Sequence, residues 1–283
     1  MKLATVDYSG RSRVCVVADD HVVLVGTAGH DDLRVMYEAG ERGRADLAAA
    51  CQGHGERISR RGVRFLRPVL DPGAVICVGL NYRSHLTELG RGLPSAPTLF
   101  SKLPHALCDP DADVPLPPSV TQLDYEGEFV VVISRTARHV AAADAWDFVG
   151  GVSLMNDVSA RDYQRRTSQW FAGKTWEAST PWGPVVATRD ELTEATLEVT
   201  VNGERRQSGS FDDLLFDVPQ LVADISQIVA LRPGDLIATG TPDGVGMAAK
   251  PERYLGDGDV VVVRSAAIGE LRNVVRATGG NRR

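Results

Sequence analysis

Beyond residue 70 the chain consists of short, β-rich apolar runs that glycine and proline keep apart, and this punctuation restricts the available folds more than any other feature. The runs fall at 75–78, 129–133, 197–201, 236–238 and 260–263. Each is too short for a buried helix and rich in β-branched residues, which pack well on a pleated surface. Helical signals are few, at 83–89, 159–165 and 218–229. In the last, Leu221, Val222, Ile225, Ile228 and Val229 recur at intervals of three, four and seven, so the spacing predicts an apolar helical face. Pro219 sits near its start, where a missing N–H costs little. Many strands with long connections predict an α+β, β-dominated class, a mixed β-sheet roll rather than a doubly wound sheet.

The first 70 residues read differently. Two alternating segments, 14–17 and 22–25, flank Asp19-Asp20 and predict a hairpin. A polar, Arg- and Ala-rich stretch from Asp31 to Ala50 predicts one or two helices interrupted at Gly40 and Gly43. A strand over 63–67 follows, ended by Pro68 and Pro72. A small N-terminal α/β domain at 1–70 and a catalytic domain at 71–283 are therefore expected, with an unstructured tail at 279–283.

Composition narrows the function classes. A chain of 283 residues that is 43% hydrophobic and 24% charged can bury a sizeable core. No stretch approaches the roughly 18 uninterrupted apolar residues of a membrane helix. Asp7 comes too early for a secretory apolar segment. With 31 Lys+Arg against 37 Asp+Glu there is no basic excess for nucleic-acid phosphates. Cys15, Cys51, Cys77 and Cys108 are scattered and form no CxxC pair, so buried reduced thiols and a cytoplasmic location are the expectation.

The sharpest chemical feature is Asp124-Tyr125-Glu126-Gly127-Glu128, running straight into the apolar segment 129–133. Alternation along a strand points Glu126 and Glu128 to the same side. Two adjacent carboxylates repel unless something positive lies between them, and a shared cation would serve; a solvated strand start is the alternative on spacing alone. A third acid, Asp157, ends the apolar segment 149–155 where a helix is expected to begin, either lining a cleft or capping that helix, although Ser159 could also cap it. Three carboxylates without His or Cys neighbours would make an all-oxygen site, suited to Mg²⁺, Mn²⁺ or Ca²⁺ rather than zinc. In Asn81-Tyr82-Arg83-Ser84-His85-Leu86-Thr87-Glu88, His85 and Glu88 share one helical face, as a general base and its orienting carboxylate would, or as an ordinary surface pair would. The remaining histidines (His21, His30, His54, His105, His139) read as surface or loop residues. Lys174 follows an aromatic pair and could bind a substrate carboxylate, polarise a carbonyl or simply face water. The segment 237–246 is a strand ending in a Gly-rich turn that lacks the GK[ST] of a Walker loop; its exposed N–H groups could hold a small carboxylate.

Together these segments, in this order, resemble the fumarylacetoacetate hydrolase family over about residues 70 to 276. The matching stretches are Ile76 to Tyr82 with His85 and Glu88, Leu123 to Glu128, Asn156 to Asp162, Gly173-Lys174-Thr175, Arg232 through Gly246, and Gly269 to Asn273. The resemblance implies a homodimeric enzyme with a β-roll catalytic domain and a small, variable N-terminal domain. It implies Mg²⁺ (or Mn²⁺, Ca²⁺) on Glu126, Glu128 and Asp157, with His85 and Glu88 as an acid/base pair on a lid and Lys174 sharing developing negative charge. Arg161 and Gln164 match positions that contact substrate or water, and Gly240 and Thr241 match the turn that holds a substrate carboxylate. Two departures are visible: Phe100-Ser101-Lys102-Leu103-Pro104 replaces the usual F-x-K-P-P, and Gly127 is smaller than the residue common between the two glutamates. Neither removes a charged group.

The reaction expected from this set is hydrolytic C–C cleavage of an acylpyruvate or other 2,4-dioxo acid, giving a 2-oxo acid such as pyruvate and a carboxylic acid. The same residues would serve decarboxylation of oxaloacetate, or hydration or isomerisation of unsaturated 2-oxo acids in aromatic catabolism. A ligand-binding relative without activity and a nucleotide-dependent oxidoreductase are disfavoured, because the five acid and base positions are all present and no GxGxxG opens a helix.

Overall fold

A computed structural model describes residues 1–26, 30–90 and 92–279. The short apolar runs become strands of two principal sheets, and the expected β-dominated architecture is what forms. The larger sheet has twelve strands among the described residues. Its main path runs Arg57–Ser59, His21–Leu24, Arg11–Val17, Lys2–Tyr8, Thr180–Ala187, Val149–Asn156, Gly127–Ile133, Leu236–Ala238, Val75–Gly79 and Thr98–Lys102. The second sheet is ordered Glu204–Ser210, Thr196–Val201, Val260–Ser265, Gly269–Ala277 and Val114–Leu116. Gly127–Ile133 is buried along its whole length, as its unbroken apolar run requires, because a strand covered on both faces cannot alternate with polar residues. One large apolar core joins the inner faces of the two sheets, with Phe129, Val131, Leu197, Val199, Val263 and Leu271 among its members.

The hairpin expected at 14–25 forms, with Val17 opposite Val22 and Val16 opposite Val23. Its first neighbour, Lys2–Tyr8, pairs antiparallel with Thr180–Ala187, so the N-terminal strands extend the larger sheet rather than building a sheet of their own. Two helices, Leu33–Glu38 and Glu41–Cys51, follow. Gly40 separates them as expected, but Gly43 lies inside the second. It is there for clearance: a Cβ on Gly43 would stand 2.0 Å from the Met36 carbonyl oxygen.

The helix expected at 218–229 is Val218–Ile228. Asp217 and Gln220 form a reciprocal capping box, the Gln220 amide donating to Asp217 at 2.9 Å and the Asp217 amide to Gln220 at 3.1 Å. Leu221, Val222 and Ile225 are buried, each contributing on the order of 1.5–3 kcal/mol. Ile228, the last residue of the helix, and Val229 are not, at 67% and 47% exposed. The helix expected at 159–165 shortens to Arg161–Gln164, since Ser159–Ala160 is drawn into a two-stranded pairing with Leu123–Asp124. Ser159 does not cap it; its hydroxyl donates to the Asp157 carbonyl.

Two smaller expectations are corrected. His30 is buried and bonded to Asp46 at 2.8 Å, rather than lying on the surface. Cys51 is exposed, while Cys15, Cys77 and Cys108 are buried. Of the tail, residues 280–283 lie outside the described residues.

Gly43 supplies a test of the N-terminal packing. Alanine ordinarily favours a helix interior by about 1 kcal/mol over glycine, yet here the added methyl meets a backbone oxygen that cannot step aside. Gly43→Ala should therefore destabilise the protein, by about 2 kcal/mol in chemical denaturation; a stabilised variant would show that the two helices part without cost.

Candidate active site

Strand ends converge on one point of the larger sheet. Gly127–Ile133 begins there, Val149–Asn156 ends there, and the register sets Gly127 opposite Asn156. That pairing places the next residues outward, Glu126 and Asp157, side by side, with the Asp157 amide donating to the Glu126 carbonyl at 2.7 Å. Asn156 closes the corner by accepting the Glu126 amide at 3.0 Å. Glu128 turns to the same point. All three acids are buried, and each offers an oxygen within 4.8 Å of the others'.

Charges this close in a buried volume require compensation. Lys174 Nζ donates to Glu126 at 2.5 Å and to Asp157 at 2.6 Å. Lys102 donates to the second Asp157 oxygen and, at 3.0 Å, to the Val158 carbonyl. Each lysine is only 2% exposed. Arg161 pairs with the other Glu126 oxygen at 2.6 Å, while its Nε donates to Asp124 at 2.8 Å. Burial works against the Glu126 charge, but Lys174 and Arg161 overcome it and hold its carboxyl at about 2. Glu128 goes the other way. Burial, Asp157 and Glu126 push it well above the usual carboxylate range, and a bond from the Gly240 amide at 2.9 Å offsets this only in part. Burial also opposes the charge on Lys174, which Asp157 and Glu126 nonetheless hold above its ordinary value.

The residues therefore fit a hard divalent cation. The donors are all oxygen, they converge, and Glu128 is the acid still short of positive charge, which a dication would supply.

The helix Arg83–Glu88 brings the expected pair together: His85 Nδ1 lies 3.1 Å from one Glu88 oxygen, and the other accepts the Gly244 amide at 2.9 Å. An ionised carboxylate can only accept, so Nδ1 carries the hydrogen and Nε2 is left as the basic nitrogen. His85 lines a cavity of about 260 Å³ together with Glu126, Glu128, Arg161, Gln164, Lys174 and Thr241. The rest of its lining is mixed: Leu89, Phe100, Trp170 and Met247 are apolar, while Arg165 and Thr167 are polar.

The turn after Leu236–Ala238 is tied to the acids. Gly240 has φ +95°, and a Cβ there would stand 2.9 Å from the Val78 carbonyl oxygen, so the close approach of its amide to Glu128 requires glycine. The Thr241 hydroxyl donates to the Gly127 carbonyl at 2.9 Å and accepts from Gln207 at 2.8 Å, fixing this cavity-lining residue to the strand of the acids. Gln164 accepts from Arg161 at 2.9 Å and keeps its amide hydrogens for other partners.

Sequence reasoning assigned no role to Lys102, Asp124, Gln207 or Asn81. Asn81 is buried just before the helix Arg83–Glu88, donating to the carbonyls of Thr239 at 2.8 Å and Phe216 at 3.0 Å. A lone cation at the end of the strand Thr98–Lys102 was the available signal for Lys102. Asp124 was visible in its motif, but its partner Arg161 lies 37 positions away.

A model of the fumarylacetoacetate (FAA) hydrolase C-terminal domain matches residues 74–276. The chain belongs to the fumarylacetoacetate hydrolase family. It is 38% identical over 249 residues to the mitochondrial oxaloacetate tautomerase Fahd2a of Rattus norvegicus, covering 86% of this chain and 80% of that one. Among solved structures, the fumarylacetoacetate hydrolase of Exiguobacterium antarcticum superposes with a TM-score of 0.85 at 37% identity, covering 98% of this chain and 100% of the other. Maleylpyruvate hydrolase from Sphingobium, in complex with manganese(II) and pyruvate, superposes at 0.79 with 28% identity, covering 99% and 100%. Within this family the chain is an enzyme, and the reaction differs among these relatives.

Gly127, between the two glutamates, has a packing reason. A Cβ there would lie 2.3 Å from a Val199 methyl, where the second sheet presses on the first. Gly127→Ala should cost about 1–3 kcal/mol, read as a lowered melting temperature, and Val199→Ala in the same chain should recover most of it. Failure of that rescue would place the glycine's role elsewhere.

Proposed function

We propose that this chain is a divalent-metal-dependent tautomerase of oxaloacetate, moving a proton between the enol oxygen and C3 of a four-carbon 2-oxo dicarboxylate. The observation that carries the reading is the His85–Glu88 pair, which faces a carboxylate triad across one cavity. The named activity of the rat relative supports the same reaction. In this proposal residues 71–283 carry the chemistry, 1–70 form the smaller companion, the active species is a cytoplasmic homodimer, and Mg²⁺ or Mn²⁺ is the ion, with Ca²⁺ as a substitute.

Glu126, Glu128 and Asp157 hold the ion, which when bound supplies a Lewis acid for the carboxylate and 2-oxo oxygens of the substrate. His85 takes the enol O–H proton on Nε2 and delivers it to C3, so one O–H is lost, one C–H is gained and no water is consumed. Glu88 stays ionised, stabilises the transient imidazolium and keeps Nε2 directed into the cavity, while the Gly244 amide fixes Glu88. The Lys174 ammonium has three N–H donors and spends two on Glu126 and Asp157, so the third serves the oxygen on which negative charge develops. Gln164 and the Thr241 main chain hold the substrate carboxylate.

Hydrolytic C–C cleavage of an acylpyruvate is the second reading, and the apolar part of the lining favours it. Leu89, Phe100, Trp170 and Met247 suit an acyl chain, whereas Arg165 on the same lining would suit the second carboxylate of oxaloacetate. The same His85 would then deprotonate water.

The deciding experiment gives enol-oxaloacetate and acetylpyruvate to chelator-stripped protein with Mn²⁺ added back. Metal-dependent loss of the oxaloacetate enol signal, with all four carbons retained, is expected. Release of pyruvate and acetate from acetylpyruvate instead would select the hydrolase, and pyruvate with CO₂ from oxaloacetate the decarboxylase. His85→Ala should lower kcat by about 10²–10⁴-fold while leaving Mn²⁺ binding in place; unchanged turnover would remove His85 from the chemistry.

A further inference from the structure

We infer that Lys174 is the resident counter-ion of the carboxylate triad, an ammonium that neutralises the site before any metal arrives and thereby keeps metal binding weak and exchangeable. Its Nζ bonds two of the three prospective ligands at 2.5 and 2.6 Å, and it is buried. The neighbouring Lys102 is anchored differently, because it also bonds a main-chain oxygen, that of Val158. The polar partners of Lys174 are both ligand carboxylates, so its position answers to the charge at that point and to nothing else polar.

The oxygens show the consequence. Glu126 has Arg161 on one oxygen and Lys174 on the other; Asp157 has Lys102 on one and Lys174 on the other. A dication must therefore share oxygens already engaged by cations, at the cost of repulsion from an ammonium a few ångströms away. The arrangement is held in place by packing. Lys174 ends the short helix Phe171–Lys174, where a Cβ on Gly173 would stand 2.5 Å from the Gln164 Cβ, so this helix is pressed against the one that carries Arg161. The ammonium thus does for the metal-free fold what the metal does in the loaded protein: it removes the repulsion among buried acids. This holds whichever 2-oxo acid is the substrate.

The test measures metal binding without substrate. Mn²⁺ affinity is read from the EPR signal of free Mn²⁺ on chelator-stripped protein, with thermal melts in EDTA and in saturating Mn²⁺, for the native chain, K174Q and K174R. K174Q, which keeps a hydrogen-bond donor but loses the charge, should bind Mn²⁺ at least about tenfold more tightly. It should also melt lower in EDTA and gain more from Mn²⁺ than the native chain does, and K174R should stay within about threefold of native affinity. Equal or weaker binding by K174Q would overturn the inference, as would K174R binding as tightly as K174Q. A K174Q chain that stays unfolded in saturating Mn²⁺ would overturn it too, since metal would then fail to replace the ammonium.

Discussion

Positive charge must reach Glu126 and Asp157 before this end of the sheet can be buried with both of them ionised, and much of the local structure follows from that requirement. Removing one partner from a buried ion pair typically costs 3–5 kcal/mol. Two ionised acids without cations would therefore exceed what neighbouring packing can offset in a fold of ordinary stability. Lys102, Lys174 and Arg161 come from three separate segments, and each is brought in by a different device. Lys102 ends the strand Thr98–Lys102, Arg161 opens a short helix after a β-bridge, and Lys174 closes another. Asp124 in turn receives Arg161 and accepts the amides of Gly246 and Met247, so the cation that steadies Glu126 also ties down the Gly-rich turn.

The sheet supplies what charge alone cannot, which is convergence. Gly127 opposite Asn156 is a register, and a slip by one residue would turn Glu126 and Glu128 to the other face. The register is held by the buried run that follows Gly127 and by the fit of Gly127 under Val199. Leu236–Ala238 and Val75–Gly79 lie parallel, so both chains leave the sheet at the same end. One exit becomes the Gly240–Thr241 turn and the other leads through Asn81 into the helix Arg83–Glu88. Glu88 then returns to Gly244, joining the two exits across the cavity mouth.

Much of this was legible in the chain. The strands at 75–79, 127–133 and 236–238 followed from β-branched runs bounded by glycine and proline, because burial on both faces leaves a local compositional mark. The triad was legible because two of its members flank the first residue of one strand and the third directly follows the next strand. Lys102 and Asn81 were not, since their roles depend on partners 55 and 158 positions away, and a buried cation has no local signature distinguishing it from a solvated one. Gly43 misled for the opposite reason. Glycine in a polar stretch ordinarily reads as a break, whereas here it marks a close approach to Met36 that only the tertiary structure contains. His30 likewise gave no sign of burial, its acid lying 16 residues on.

The reaction type is harder to read than the site because a base, an ammonium and a cation site are common to several reactions of 2-oxo acids. What separates them is whether a water molecule can stand beside His85 while the substrate is bound. A proton transfer between O and C3 needs the imidazole to reach both atoms and needs no other nucleophile. Hydrolysis needs the same imidazole plus room for water next to the distal carbonyl. The polar pole of the cavity, with Gln164, Lys174 and Thr241, suits either case, because each begins with a 2-oxo carboxylate. The apolar part of the lining bears on that choice: Trp170 packs edge-on to Phe100 at 5.2 Å and leans over Gly79, whose missing side chain makes room for the indole. In the proposed chemistry that lining would set how much of the cavity a short dicarboxylate leaves to water, and with it which reaction the site favours.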